Sequence, residues 1–509
     1  MIIIPAKILD IRSTEPMVML SKNTASRLNL RHDEILSLKH KGKEIVANPI
    51  VVQKILENNV IGISEKDSKW LEVDNDTQIT VSARKTPVSY DFIKKKYNSN
   101  NPWNQNEILS IVNDISNRRY TSVEVASFAL VTQYSGFSSF ELEEFSKAMA
   151  EAGNQLDFNE PTFGKHSIGG IPGNKISPII VPIIAAAGLL IPKTSSRAIT
   201  SPSGTADTME VFANVNFTPD EISEIAPKSK GMIVHNGPLN LSPLDDIVIG
   251  VKRQLDIDPK DQMLASIVST KIAMGIDNLV FDIPTGTGSK MPNRQNAVNF
   301  AHSLIGLCRQ LGIRVEAALT LGEQPLGNAI GPALEAKEAL QVLEGNGPNS
   351  VVEKSVDIAG ILLEMSGLTN TGKGSEMASE ILSSGKALTK FREIIEFQGG
   401  NPNIKFDEIE IGSEQTSIYA KKDGYVVGVN NKSINAIAKA AGCPKDKEAG
   451  IIIHKRQGEY IHNGDPLITI FANSDSKLTS ALQTANTHSP IILEGMVLRR
   501  IGSIPEKNI

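Results

Sequence analysis

Over residues 1–88 the apolar positions come in short runs, Ile2-Ile3-Ile4, Val18-Met19-Leu20, Ile35-Leu36-Ser37-Leu38, Ile45-Val46 and Ile79-Thr80-Val81, separated by charged turns. Runs of this length bounded by turn residues predict strands, so an N-terminal β-rich module is expected here. Tyr97 to Asn106, rich in Asn and Ser around Pro102, reads as a linker. The period then lengthens. Thr121 with Glu124 and Ser138 with Glu141 have the spacing of capping boxes, and Leu142, Phe145, Met149 and Ala152 fall on one helical face. A helical lobe is therefore expected over 100–160.

From Phe163 the pattern changes again, to short apolar strands, Gly-rich turns and helices, the alternation of an α/β domain. The run from Ile176 to Leu190 carries Ser177, Pro178 and Pro182. A membrane span needs about 20 apolar residues, so this run predicts a buried core helix. Asn278 to Ile283 is a buried strand, and Ile313 to Thr320 a second one ending in a polar turn. Ahead of both, between Leu239 and Met274, a Pro/Asp-rich approach leads into an amphipathic helix, Met263 to Met274, which reads as the helical lobe returning. From about 410, Ile418-Tyr-Ala, Tyr425 to Val429, Gly450 to His454 and Gly464 to Phe471 are further strands, with a helix starting at Ser433.

The expected fold class is α/β: a mixed central sheet with a discontinuous helical lobe, an N-terminal β-rich module and a C-terminal β-rich module resembling a barrel-sandwich. The parts are 1–88; 100–160 plus 240–275; 161–239 plus 276–409; and a C-terminal α+β module, 410–509. No Met-Lys-like hairpin tip stands in the last module, so a structural role is expected for it rather than carriage of a lysine-linked cofactor.

Composition narrows the class. Of 509 residues, 40% are apolar and 21% charged, which is ordinary for a globular protein with an ample core. A net charge of -5 gives no general affinity for nucleic acid, and no membrane segment is evident. Met1 to Ala6 is apolar but too short for a signal peptide. Cys308 and Cys443 match no metal or redox spacing, so free thiols in a cytoplasmic protein are expected. No His/Cys/Asp cluster has metal-ligand spacing, and no metal or cofactor is expected.

The chemistry gathers in glycine, hydroxyl and cation loops. Phe163-Gly-Lys165-His166-Ser167-Ile-Gly169-Gly170-Ile-Pro-Gly173-Asn-Lys175 precedes the buried helix, and Ser195-Ser196-Arg197-Ala198-Ile199-Thr200-Ser201-Pro-Ser203-Gly204-Thr205-Ala-Asp207 follows it. A third loop, Pro284-Thr-Gly-Thr-Gly-Ser-Lys290, ends the Asn278 strand. Glycines let backbone approach an anion, while lysine and hydroxyls donate to it. Neither the P-loop nor the dinucleotide spacing is present. Three such loops at strand ends point to phosphate handling.

Lys165-His166-Ser167-x-Gly169-Gly170, with Ser195-x-Arg197 and Gly204-Thr205-x-Asp207-x-x-Glu210, resembles the signature of the thymidine phosphorylase and pyrimidine-nucleoside phosphorylase family, over residues from about 105 to the end. The resemblance is closer still to its AMP phosphorylase branch, through Lys-His-Ser-Ile-Gly-Gly-Ile-Pro-Gly-Asn-Lys, Asp256-Ile-Asp258-Pro, Asp282-Ile-Pro-Thr-Gly and an extra N-terminal domain. The resemblance implies phosphorolysis of a nucleoside 5′-monophosphate, AMP with CMP and UMP as further candidates, to free base and ribose 1,5-bisphosphate. Inorganic phosphate is then a co-substrate. It implies phosphate contacts from Lys165, Ser167, Ser177, Ser195 and Thr205, and a general acid at Asp258, made competent by burial or by a neighbouring carboxylate such as Asp256. It implies nucleotide contacts from Gly170, Ser196, Arg197, Ala198, Ile199, Thr200, Ser201, Thr205, Ser266 and Lys290, and base contacts from His166, Arg253 and Lys271. The pyrimidine branch carries two adjacent lysines where this chain has Thr270 and Lys271, which weighs against thymidine. Thymidine phosphorylase is the alternative within the class; a non-catalytic nucleotide-binding regulator is the alternative outside it. Partners are expected to be small molecules and further copies of the chain, as a homodimer or larger.

Overall fold

The computed structural model describes residues 1–13, 15–31, 34–198 and 201–499. The chain divides into two compact units, Met1–Asn154 with Leu241–Ala273, and Gln155–Asn240 with Met274–Ile509.

In the first unit six strands close into a barrel, in the order Ile2–Leu9, Ile61–Ser64, Met17–Ser21, Lys43–Val52, Leu36–His40 and Gln78–Ala83. Alternate side chains point inward, as strand geometry requires: Ile4 and Ala6, Val18 and Leu20, Leu36 and Leu38, Ile79 and Val81 are all buried. Ile61–Ser64 is a strand that the apolar pattern does not announce. Its four residues are all buried and include Gly62, so no alternation marks it.

Among the described residues this unit also holds two short helices, Lys22–Arg27 and Glu65–Leu71, and six longer ones: Ser89–Ser99, Gln105–Ser116, Ser122–Ser135, Ser139–Glu151, Pro243–Leu255 and Lys260–Ala273. Both expected capping boxes form, at Thr121 with Glu124 and at Ser138 with Glu141. The stretch read as a linker is largely structured. Tyr97 to Ser99 ends a helix, and Trp103 is buried with its indole N–H donating to the Phe92 carbonyl at 2.9 Å. Lys96 pairs with Glu141 in the interior, and that carboxylate also accepts the Trp103 N–H at 2.8 Å. The Asn and Ser content thus hides a segment anchored by one tryptophan and one buried ion pair.

The second unit is built on parallel strands. Arg314–Leu321, Asn278–Thr285 and Phe163–Ser167 pair in that order, and a parallel bridge from Thr162 to Leu190 leads on to Ile191–Ser195, which pairs with Gly231–His235. The sequence reading expects a mixed central sheet; every described pairing in this sheet is parallel. Helices make the difference: Arg294–Gln310 and Pro219–Ser229 each return the chain to the starting edge, so that successive strands run the same way. The apolar run becomes the helix Ser177–Ala186, buried along Ser177 to Ala185 and packed in one core with Pro332–Leu343, Asn349–Ser366 and Lys386–Phe397. Each fully buried Ile in it contributes roughly 1.5–3 kcal/mol.

The same unit carries the C-terminal part. Ala329–Ile330, Gly450–Ile453, Pro466–Ala472 and Glu414–Tyr419 form one four-stranded sheet, and Tyr460–Ile461, Gly424–Val429 and Ile491–Glu494 form a three-stranded one. Helices Asn431–Ala441 and Asp475–Thr487 pack with them. The first of these strands comes from outside residues 410–509. No helix among the described residues is long and apolar enough to cross a membrane.

Lys175, just ahead of the buried helix, is itself fully buried. Its ammonium pairs with Glu338 at 2.5 Å and donates to the Leu326 carbonyl at 3.1 Å. Lys175→Met strands the Glu338 carboxylate in the interior, a loss of about 3–5 kcal/mol. Equilibrium urea unfolding of the full-length protein is expected to show it, with part of the loss recovered by adding Glu338→Gln.

Candidate active site

The carboxyl ends of the parallel strands gather the loops. Ser167, Ser195 and Thr285 are the last residues of neighbouring strands, and ligands in α/β sheets bind beyond such ends. Lys165 stands two residues before Ser167 on the same strand, so both side chains leave the same face.

At the middle of the sheet sits Asp282, wholly buried on the strand beside them. Its Oδ2 accepts the Ser167 hydroxyl at 2.6 Å and the Asn174 amide at 3.0 Å. Its Oδ1 accepts the Thr320 hydroxyl at 2.5 Å and lies 3.1 Å from the Lys354 ammonium. Lys165 Nζ lies 4.0 Å from Oδ2 and donates to Ser167 Oγ. Burial alone would push the Asp282 carboxyl up; Lys354 and Lys165, with the Ser167 and Thr320 hydroxyls, hold it far below the carboxylate range. Burial lowers Lys165 to about 8, against the pull of Asp282 and with the repulsion of Lys354. The Ser167 proton is committed to Asp282, while Lys165 uses one of its three N–H groups on Ser167. Lys165 keeps donors for an anion.

Ser177 and Thr205 face each other across 3.5 Å. The Ser195 hydroxyl donates to the Ser196 carbonyl at 3.1 Å. The following loop is pinned by Asp207, which accepts the Ala198 N–H at 2.7 Å and the Gly204 N–H at 2.9 Å. A Cβ on Gly204 would lie 2.7 Å from the Ser196 carbonyl oxygen, so glycine permits this fold-back. The Arg197 guanidinium is engaged by carboxylates, at 2.6 and 2.7 Å to Glu210 and 3.2 Å to Asp207, and Lys447 joins Glu210 at 2.9 Å. Arg197 therefore braces the loop through its side chain. Ser201 donates to the Ser203 carbonyl at 2.9 Å. Ile199 and Thr200 lie outside the described residues.

Gly170, at φ +99°, packs against the third loop, where a Cβ would meet the Lys290 backbone nitrogen at 2.7 Å. Lys290 itself is exposed. Asn431 ties that loop down, donating to the Thr287 carbonyl at 3.1 Å and the Gly322 carbonyl at 2.9 Å. His166 sets its ring edge against Phe281, centroids 5.9 Å apart.

The remaining candidates belong to the first unit. Asp258 follows the helix Pro243–Leu255; its side chain is 57% exposed and stands 3.9 Å from Lys252 Nζ. The burial expected around a general acid is found instead at Asp245, where burial raises the carboxyl against the Ser266 hydrogen bond and Lys252, and Asp258 adds to the rise. Ser266 donates to Asp245 at 2.5 Å. Lys271 is buried and lowered by that burial to about 8, and Arg253 is exposed.

The structure thus joins Lys165 with Ser167, Ser177 with Thr205, and Gly170 with Lys290. Sequence reasoning missed Asn174, Asp282, Thr320, Lys354 and Asp245. Asp282 opens the Asp-Ile-Pro-Thr-Gly motif, and the signal for its charge was a carboxylate inside a run that otherwise reads Leu-Val-Phe-x-Ile; a charge there must be paired. Among the described residues no group of three or more His, Cys, Asp or Glu could hold a metal ion.

Residues 159–388 match the glycosyl transferase family, a/b domain, and residues 425–491 match the pyrimidine nucleoside phosphorylase C-terminal domain. The chain is 45% identical over 500 residues to an AMP phosphorylase of Thermococcus kodakarensis, covering 98% of this chain and 99% of that one. It is 44% identical over 487 residues to AMP phosphorylase 1 of Archaeoglobus fulgidus, at 95% and 96% coverage. An AMP phosphorylase of Methanosarcina mazei is 50% identical over 409 residues, at 80% and 81%. Among solved structures, the anthranilate phosphoribosyltransferase of Thermus thermophilus superposes with a TM-score of 0.51 at 18% identity, over 60% of this chain and 99% of that one, a likeness of fold.

Proposed function

We propose, from the premise that this chain belongs to the AMP phosphorylase branch of the pyrimidine nucleoside phosphorylase family, that it cleaves AMP with inorganic phosphate. A phosphate oxygen bonds to C1′ as the C1′–N9 bond breaks, giving ribose 1,5-bisphosphate and adenine, whose leaving nitrogens take up a proton. CMP and UMP are further candidate substrates.

The observation that carries the reading is the buried lysine beside a paired hydroxyl at the carboxyl edge of a parallel sheet, Lys165 with Ser167. Phosphate is already a nucleophile, so the protein's task is to position it and to stabilise charge as the sugar turns cationic. Lys165 supplies the charge, and Ser167, Ser177, Ser195 and Thr205 the polar wall. We assign nucleotide contacts to Gly170, the loop from Ser196 to Ser201, Ser266 and Lys290, base contacts to His166, Arg253 and Lys271, and the proton to Asp258. Inorganic phosphate is the co-substrate, and no metal or cofactor is invoked. Two buried free thiols, Cys308 and Cys443, fit a cytoplasmic enzyme. An exposed stripe on one helix, Val123, Leu130 and Tyr134, fits a homodimer or larger assembly.

Base release with inorganic phosphate, compared across AMP, CMP, UMP, thymidine and uridine, tests the reading. AMP is expected to turn over fastest, and release should stop without phosphate. Release from thymidine but not AMP would make this a thymidine phosphorylase; no turnover of any substrate would leave a nucleotide-binding regulator.

A further inference from the structure

We infer that Asp282 and Lys354 form a positioning pair that sets the charge of Lys165, and with it the pH range over which this protein binds inorganic phosphate. The inference rests on the reading that Lys165 holds the attacking phosphate. The geometry is a buried row of charges in the order plus, minus, plus. Asp282 presents Oδ2 to Lys165, Ser167 and Asn174 and Oδ1 to Thr320 and Lys354, so that its two oxygens serve opposite neighbours. Lys354 comes from the helix Asn349–Ser366, far in sequence from any phosphate loop. Its ammonium is buried, forms no hydrogen bond among the described residues and has Asp282 as its ion-pair partner.

Such an arrangement does more than hold a carboxylate. A lone aspartate beside a buried lysine would lock that lysine as ammonium and consume the charge that a phosphate needs. The second lysine divides the attraction of Asp282, so Lys165 stays loosely paired at 4.0 Å and available to an incoming anion. Lys193, on the next strand, donates to the Thr194 carbonyl, and Glu316 on the outer strand is exposed. His166 packs its ring edge on Phe281. Beyond Lys354 lies a cavity of about 560 Å³ whose wall includes Glu353, Asp357 and Arg456. Arg456 is engaged with Asn328 and the Pro325 carbonyl.

The signs follow. Removing the anion in Asp282→Asn leaves Lys165 with only burial and the repulsion of Lys354, so its ammonium is lost at lower pH. Removing the second cation in Lys354→Met leaves Asp282 wholly to Lys165, so the ammonium persists to higher pH. Calorimetric binding of inorganic phosphate to the full-length protein, from about pH 6 to 10, reads both without any nucleotide. Wild type is expected to lose affinity as pH rises through about 8, where the buried Lys165 gives up its proton. In Asp282→Asn the break moves down by about 1 or more, an affinity loss of roughly fivefold or more at pH 8; in Lys354→Met it moves up. Lys354→Arg should keep the wild-type break. The phosphate's own second ionisation is common to all and cancels in the comparison. Breaks that coincide in wild type and variants, with affinity lowered equally at every pH, would overturn the inference and leave a structural role. Asp282→Asn is isosteric and carries the test alone if Lys354→Met does not fold. Phosphate binding is read apart from AMP turnover, so failure of the proposed reaction and failure of this pair are distinguishable.

Discussion

Lys165→Ala is expected to lower kcat/KM for inorganic phosphate by about 10²–10³-fold, the cost of removing one preorganised donor from a charge-stabilising site. The fold should hardly notice. Asp282 keeps Lys354 at 3.1 Å and the Ser167, Asn174 and Thr320 donors, so its carboxylate is not stranded. The substitution also relieves the burial of a side chain that is 3% exposed, and the net change in stability should stay within about 1–2 kcal/mol. Initial rates at varied phosphate, with a thermal melt on the same samples, separate the two effects. Lys165→Arg should not rescue, because a planar fork cannot take the place of a compact ammonium between Ser167 and Asp282. Unchanged phosphate kinetics in Lys165→Ala would remove this residue from the site altogether.

What was legible beforehand was whatever repeats or is local. The capping boxes at Thr121 and Ser138, the buried helix after Lys175 and the strand through Asp282 each announce themselves within about ten residues. Strands that are short, or broken by glycine, such as Ile61–Ser64, do not. Tyr97 to Asn106 misled because polar composition says nothing of one buried tryptophan at Trp103. At the site, the loop motifs named Lys165, Ser167, Ser177 and Thr205, but not what charges them. Lys354 lies 189 positions beyond Lys165 on an ordinary amphipathic helix, and nothing near it in sequence marks it as facing a carboxylate. Long-range ion pairs are set by packing, which no local pattern in the chain records. The same holds for Arg197: its place in a glycine and hydroxyl loop reads as an anion contact, yet two carboxylates further along the chain, Asp207 and Glu210, take its guanidinium.

Asp258→Asn is expected to lower kcat for AMP by about 10²–10⁴-fold, the usual worth of a general acid, with phosphate binding unchanged. The first unit offers a rival, and the two carboxylates differ in what they touch. Asp245 is buried and already accepts the Ser266 hydroxyl at 2.5 Å, so its oxygen is spent on holding Ser266. Asp258 is 57% exposed, and its ion-pair contact is Lys252 at 3.9 Å. Asp245→Asn keeps an acceptor for Ser266 and should cost less than about tenfold. The decisive substrate is a nucleotide already methylated at N7, whose base carries its positive charge and leaves without a proton. Asp258→Asn should turn that substrate over at close to the wild-type rate while failing with AMP. Equal losses on both substrates would mean that Asp258 acts by binding or shape. A large loss in Asp245→Asn that the methylated substrate rescues would move the acid to Asp245, and Ser266 with it from holding the nucleotide to relaying the proton.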